Sequence, residues 1–157
     1  VLSAILLVSC KKDSDGGNAA PLASGKSEVK FNYSGAASGS FASNIAMSTV
    51  LKNSTLINVN AALVSGTTPH MVLFILPANI AVGSYTQGAD GTVGGSTFSF
   101  NILANGWAVD GGGATGFKVN ITRNDATGIE GTFSGELGND TDNTKITTTG
   151  GSFRASF

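Results

Sequence analysis

Over most of this 157-residue chain the hydrophobic positions recur every second residue. Val29, Phe31 and Tyr33 alternate with Lys30 and Asn32, and Ile57, Val59, Ala61 and Leu63 alternate with Asn58, Asn60 and Ala62. Phe98, Phe100 and Ile102 repeat the pattern, as do Phe117, Val119 and Ile121, and Phe153, Ala155 and Phe157. Alternation of this kind predicts strands with one buried face. Trp107 and Val109 form a short piece of the same type. Met71 to Leu76 is apolar without a break, the pattern of a strand covered on both faces. Ile129, Gly131, Phe133, Gly135 and Leu137 share one face, so Phe133, flanked by glycines, is expected to plug the core. Residues 36–52 fit both periods; their β-branched, Ser and Asn content tilts them to strand, with Phe41, Ile45, Met47 and Leu51 on one side.

The separators are turn chemistry, among them Lys52-Asn53-Ser54, Ser65-Gly66-Thr67-Thr68-Pro69 and Gly138 to Asn143. Asn105-Gly106 and Asp90-Gly91 are hairpin signals, because both central residues tolerate positive φ. Short strands without alternating helices predict an all-β fold, an antiparallel β-sandwich of about 8–10 strands. The alternative is a closed or partly open β-barrel of calycin-like form. Residues 28–157 are expected to form that single β domain.

The first nine residues break the pattern. Val-Leu-Ser-Ala-Ile-Leu-Leu-Val-Ser is too short an apolar run to span a bilayer and suits the hydrophobic region of a signal peptide. No Met or basic stretch precedes it, so it is expected to be the later part of that signal. It ends in Leu7-Val8-Ser9-Cys10, a lipobox: a branched apolar residue, a small residue before the cleaved bond, then a thiol that accepts diacylglycerol as a thioether. With the freed α-amine acylated as well, two or three chains anchor stably where one is marginal. Residues 10–27, rich in Lys, Asp, Ser, Gly, Asn and Ala, read as the lipidated Cys and a flexible tether. The Lys-then-acidic cluster after Cys10 is similar to an export signal of Bacteroidota surface lipoproteins, with a plain solvated linker as the alternative.

Composition narrows the partners. Nine Lys and Arg against ten Asp and Glu leave a formal charge of −1, so no basic excess tracks a nucleic-acid backbone. One Cys excludes a disulfide framework. Charged residues are only 12% of the chain, which leaves few groups for acid–base work. His70 is the sole His and Cys10 the sole Cys, so neither a triad nor a zinc centre assembles, and His70 is expected to be a strand-edge residue with a backbone hydrogen bond. Gly111-Gly112-Gly113-Ala114-Thr115-Gly116 fits a dinucleotide fingerprint in spacing only; a strand pattern follows, so it reads as a flexible hairpin loop. Asp140 and Asp142 are weak candidates for a metal, without the glycine and distal Glu of a calcium loop. Lys118 is expected to meet Glu130 or Glu136 across neighbouring strands.

The segment Gly131-Thr132-Phe133-Ser134, then Ile146-Thr147 and Gly151-Ser152-Phe153, resembles the C-terminal hairpin of small Bacteroidota outer-membrane lipoproteins. Leu76-Pro77 followed by Gly83-Ser84-Tyr85 fits the same family. The resemblance spans most of residues 55–157 and implies a lipid-anchored all-β domain at the outer membrane, on its periplasmic or cell-surface side. The family has no assigned activity, so no catalytic residue is carried over. The expectation is a non-enzymatic envelope protein whose only cofactor is the acyl group on Cys10. It binds a small ligand or glycan through loops 86–95 and 110–116, with Trp107, Tyr85 and His70 as candidate contacts. The alternative is a structural subunit of an envelope assembly, and the third reading a hydrolase-like activity. An exposed concave patch holding Trp107 or Tyr85 favours the first; a flat surface with an open edge strand favours the second.

Overall fold

The computed structural model describes residues 20–157. The strands are β1 (Lys26–Gly35), β2 (Gly39–Ala42), β3 (Thr49–Lys52), β4 (Leu56–Ser65), β5 (Thr68–Pro77), β6 (Gly83–Thr86), β7 (Thr97–Ile102), β8 (Asn105–Ala108), β9 (Lys118–Asn124), β10 (Gly128–Gly138) and β11 (Lys145–Ser156). All pair antiparallel in one strongly curled sheet, ordered β2-β1-β11-β10-β8-β7-β5-β4-β3, with β9 also beside β10 and β6 outside β9. The all-β, antiparallel expectation is met. Among the described residues no helix is long and apolar enough to cross a membrane.

Alternation places one face of every long strand inside. Val29, Phe31 and Tyr33 of β1 meet Val72, Phe74 and Leu76 of β5, Phe98 and Phe100 of β7 and Phe153 of β11 in a single core. Phe133 lies at its middle, with ring centroids 5.5 Å from Phe31, 5.2 Å from Phe74, 5.0 Å from Phe98 and 6.0 Å from Phe117. Its nearest bare backbone is across the ladder. Gly151 stands opposite Phe133, and Gly131 opposite Phe153. A Cβ on Gly151 would lie 2.6 Å from the Phe133 ring, and one on Gly131 2.7 Å from the Phe153 ring. Each glycine therefore leaves room for an aromatic from the facing strand.

Segment 39–52 joins the two edges of the curl. β2 pairs with β1, a 3-10 turn at Ile45–Met47 interrupts the chain, and β3 pairs with β4. The Ser27 hydroxyl, fully buried, lies 2.7 Å from the Asn60 carbonyl and 3.2 Å from that of Thr49. Val50 N–H donates to the Gly25 carbonyl at 3.0 Å. Ser27 thus belongs to β1 and the core, although its local composition reads as tether. The 3-10 turn also breaks the period of two. Val50 faces inward, while Ile45, Met47 and Leu51, expected on the buried side with Phe41, are exposed.

A second corner lies at Gly138, the single point where β10 meets β8, at Ala108. The Gly111 carbonyl sits against Gly138 so closely that a Cβ there would overlap it. The Gly111–Gly116 loop is docked on the β10–β11 hairpin: Gly112 N–H donates to Asp140 at 2.7 Å and Lys145 Nζ to the Gly113 carbonyl at 2.9 Å. β9 follows the loop, in agreement with the strand pattern read there.

The β7–β8 hairpin forms where Asn105-Gly106 signals one, but its turn is Leu103–Ala104, because Ile102 pairs with Asn105. Leu103 has φ +54° and is 64% exposed. Positive φ at the first central residue is a position that glycine suits and a Cβ strains. Leu103→Gly is therefore expected to stabilise the protein by up to about 1 kcal/mol net of glycine's freer unfolded chain, raising Tm by about 2–4 °C. Thermal unfolding followed by circular dichroism checks this; an unchanged or lower Tm contradicts it.

Candidate functional site

The outer face of β6, β9, β10 and β11 carries an open groove of about 500 Å³. Register builds its floor. Ser84 faces Asn120, Asn120 faces Thr132, and Thr132 faces Ser152, so one uncharged hydrogen-bonding row crosses four strands. Ser84 Oγ donates to Asn120 Oδ1 at 2.9 Å. Gly150, with φ +59°, exposes bare backbone at one side, and Lys118 is the one charged side chain in the lining. Tyr85 touches the groove but is turned away from its floor: it stands opposite Val119 and packs against the core, so it offers no stacking platform there. Its ring lies against Gly94 and its hydroxyl donates to the Ala81 carbonyl at 2.9 Å.

Loops 86–95 and 110–116 come together, as the ligand reading requires, around a depression of about 390 Å³. Gln87 ties them: its Nε2 donates to the carbonyls of Val109 and Ala114, and its Oε1 accepts from Phe117 N–H at 3.3 Å. Asp90 and Asp110 both line the depression. Asp90 is occupied within its own turn, accepting from the backbone and hydroxyl of Thr92, and these bonds hold its carboxyl below the usual carboxylate range.

The remaining sequence candidates are dispersed. Trp107 is 4% exposed, packed 6.4 Å from Phe100, with Nε1 donating to Thr144 Oγ1 at 3.2 Å. It anchors the core and offers no stacking platform. His70 is not a strand-edge residue: β5 lies between β4 and β7, and its parity with Val72 and Phe74 turns the ring inward. The ring packs against Phe100 at 6.1 Å, and the buried Nδ1 has no hydrogen-bond partner, in place of the expected backbone bond. Asp140 and Asp142 hold different parts of the loop. Asp140 accepts from Gly112 N–H, while Asp142 accepts from the backbone and hydroxyl of Thr144, which lowers its pKa. Among the described residues no group of three or more His, Cys, Asp or Glu is placed to hold a metal ion. Leu7, Val8, Ser9 and Cys10 lie outside the described residues.

Beside the groove runs a row of alternating charge that sequence reasoning missed. Glu28, Arg154, Glu130 and Arg123 stand opposite one another in turn across β1, β11, β10 and β9. Arg154 meets Glu28 at 2.5 Å, Arg123 meets Glu130 at 2.6 Å, and Lys30 reaches Glu28 at 2.6 Å. Glu130 therefore pairs with Arg123 and Glu136 with Lys145 at 3.3 Å, and neither pairs with Lys118, because register sets Lys118 opposite Ser134. Asp125 closes the row, bonded to Arg123 and capping the turn at Thr127 and Gly128, and its carboxyl is held far below the usual range by these bonds.

Burial pushes the Glu28 carboxyl up, but hydrogen bonds from Lys30 and Arg154 and their positive charges together outweigh it and hold its pKa below the ordinary value. A pKa lower in the folded than in the unfolded chain stabilises the fold above the ordinary carboxylate range, near pH ~4.3, and that stability is lost as pH falls through the folded value. Urea unfolding across pH should show stability falling below about pH 4. Glu28→Gln should be less stable at neutral pH and show a shallower acid decline; an unchanged slope contradicts the assignment.

No family model matches the chain, and neither do curated proteins or solved structures.

Proposed function

We propose that this is a non-enzymatic, lipid-anchored protein of the cell envelope that binds a small polar ligand or glycan in the groove across β6, β9, β10 and β11. The observation that carries the reading is the groove itself: open to solvent and floored by the in-register row Ser84, Asn120, Thr132 and Ser152. Neutral hydroxyl and amide groups on a preformed surface complement the hydroxyls of a sugar, and bare backbone at Gly150 lets a ring approach closely. The anchor rests on Leu7-Val8-Ser9-Cys10 and the polar residues after it. An outer-membrane site rests on the resemblance to Bacteroidota lipoproteins. Nothing in the proposal calls for a metal or nucleic acid.

A subunit of an envelope assembly without a small ligand is the second reading. It is favoured by the apolar side chains that β5 presents outward, of which Met71 is 54% exposed.

Two measurements test the proposal. A glycan array probed with the chain should give binding that Thr132→Lys reduces by about tenfold or more, the loss expected for removing groove hydrogen bonds and filling the floor. No binding at high protein concentration would move the function to the second reading. Radiolabelled palmitate should label the chain expressed in a Gram-negative host and fail to label Cys10→Ala; equal labelling would remove the anchor.

A further inference from the structure

We propose that the outer wall opposite the charged row is a self-association face, on which a second copy of this chain packs around a two-fold axis running along β5. This inference is independent of the ligand reading.

Charge is divided between the two sides of the curl. From Asn53 to Val109 the only Asp, Glu, Lys or Arg is Asp90, in the β6–β7 loop. The outer faces of β4, β5, β7 and β8 therefore carry no charge at all, while β1, β9, β10 and β11 bear the alternating row. Along the crest of the charge-free wall, Met71, Leu73 and Ile75 point outward, opposite in parity to Val72 and Phe74. β5 is thus apolar on both faces, as its unbroken run predicts, but among the described residues nothing covers the outer one.

The stripe is flanked on each side by small uncharged polar residues. On β4, Asn60 faces Leu73 and Asn58 faces Ile75; on β7, Ser99 faces Leu73 and Thr97 faces Ile75. A two-fold axis along β5 brings stripe onto stripe and exchanges the flanks at constant height. Asn60 then meets Ser99 of the second copy, and Asn58 meets its Thr97, an amide against a hydroxyl each time. The pattern is self-complementary in a way that a charged partner would not exploit. No like charges are forced together, which is the usual bar to self-association of a sheet face. The same axis sets Lys26, where β1 begins, at the same end of both copies, which suits the lipid anchor proposed above.

Size limits the strength. Three strands at about 4.8 Å and ten residues at about 3.3 Å give roughly 14 by 33 Å on each copy, near 1,000 Å² in all. That is the lower edge for a specific interface, so the dimer is weak and reversible. Aligned packing of twisted sheets inclines each β5 by about 15° to the axis, a crossing of about 30°, which makes the pairing closest at Leu73, mid-stripe.

Sedimentation velocity of the 157-residue chain over a concentration series tests this. The wild type should show a reversible monomer–dimer equilibrium. Met71→Lys, which sets like charges across the axis, should weaken it about 100-fold or more. Thr147→Lys, on the charged side, should leave it unchanged. In a Cys10→Ser background, Leu73→Cys should form an intermolecular disulfide under mild oxidation. Trp107 fluorescence confirms that each variant is folded. A wild type that stays monomeric, an oligomer that persists in Met71→Lys, or a monomer that binds phosphatidylethanolamine–phosphatidylglycerol vesicles through this wall would overturn the proposal.

Discussion

The packing of Phe133 against the rings around it is the contact on which the rest of the architecture depends. Phe31, Phe74 and Phe98 reach it from β1, β5 and β7, and Phe117 from the approach to β9. Aromatic pairs of this kind contribute about 0.5–1.5 kcal/mol each beyond their burial. The approach is possible only because Gly151 and Gly131 present bare backbone where the rings of Phe133 and Phe153 lie. A sheet with side chains at those positions would have to flatten or separate there. The glycines of β10 and β11 are thus a requirement of the core rather than a weakness in the strands.

Once the sheet curls around these rings, its outer surface divides into sides with different physics. On one side, in-register pairing sets Glu28, Arg154, Glu130 and Arg123 in alternation, which fixes the alignment of β1, β11, β10 and β9 and penalises a slip of one residue. Individual exposed pairs contribute little, but a one-residue slip would part every charge in the row from its partner and turn the core residues outward. The uncharged groove lies next to this row, on strands whose alignment the row secures. On the other side, β4, β5 and β7 present apolar, amide and hydroxyl groups and no charge. Register there is held from within, by Val72, Phe74 and Leu76 against the core, which leaves the outer face free for contact with another molecule.

Most of the fold was legible in the sequence. Period-two alternation located the long strands because each has one wet and one dry face, and Trp107, Phe133 and Phe153 were recognisable as core from the parity of their neighbours. What escaped the pattern depended on contacts distant in sequence. Ser27 looks like tether until the Asn60 carbonyl is brought to it. Val50 replaces Leu51 on the inside because a 3-10 turn resets the phase. The hairpin at Asn105 turns two residues early, because strand pairing with Ile102 outweighs the local preference of Asn-Gly. β6 has four residues and no clear alternation, so the groove it helps to form was the least visible, and Tyr85, singled out as a contact, packs against the core instead. The charge row was readable only in part: four charged residues on four strands form a line only when the register is known. The absence of charge from Asn53 to Val109, by contrast, stands in the sequence itself and acquires meaning once those residues form one wall.

The central claim is that one aromatic core, with Phe133 at its middle, holds both sides of the curled sheet as a single cooperative unit. Urea denaturation of Phe133→Ala, followed in parallel by Trp107 fluorescence and far-ultraviolet circular dichroism, tests it most directly. The account predicts a loss of about 3–5 kcal/mol, with the two signals shifting together, because Trp107 belongs to the charge-free side and Phe133 to the charged one. A fluorescence midpoint that stays where it is in the wild type while the dichroism midpoint falls would show that the two sides unfold separately, and would contradict the account.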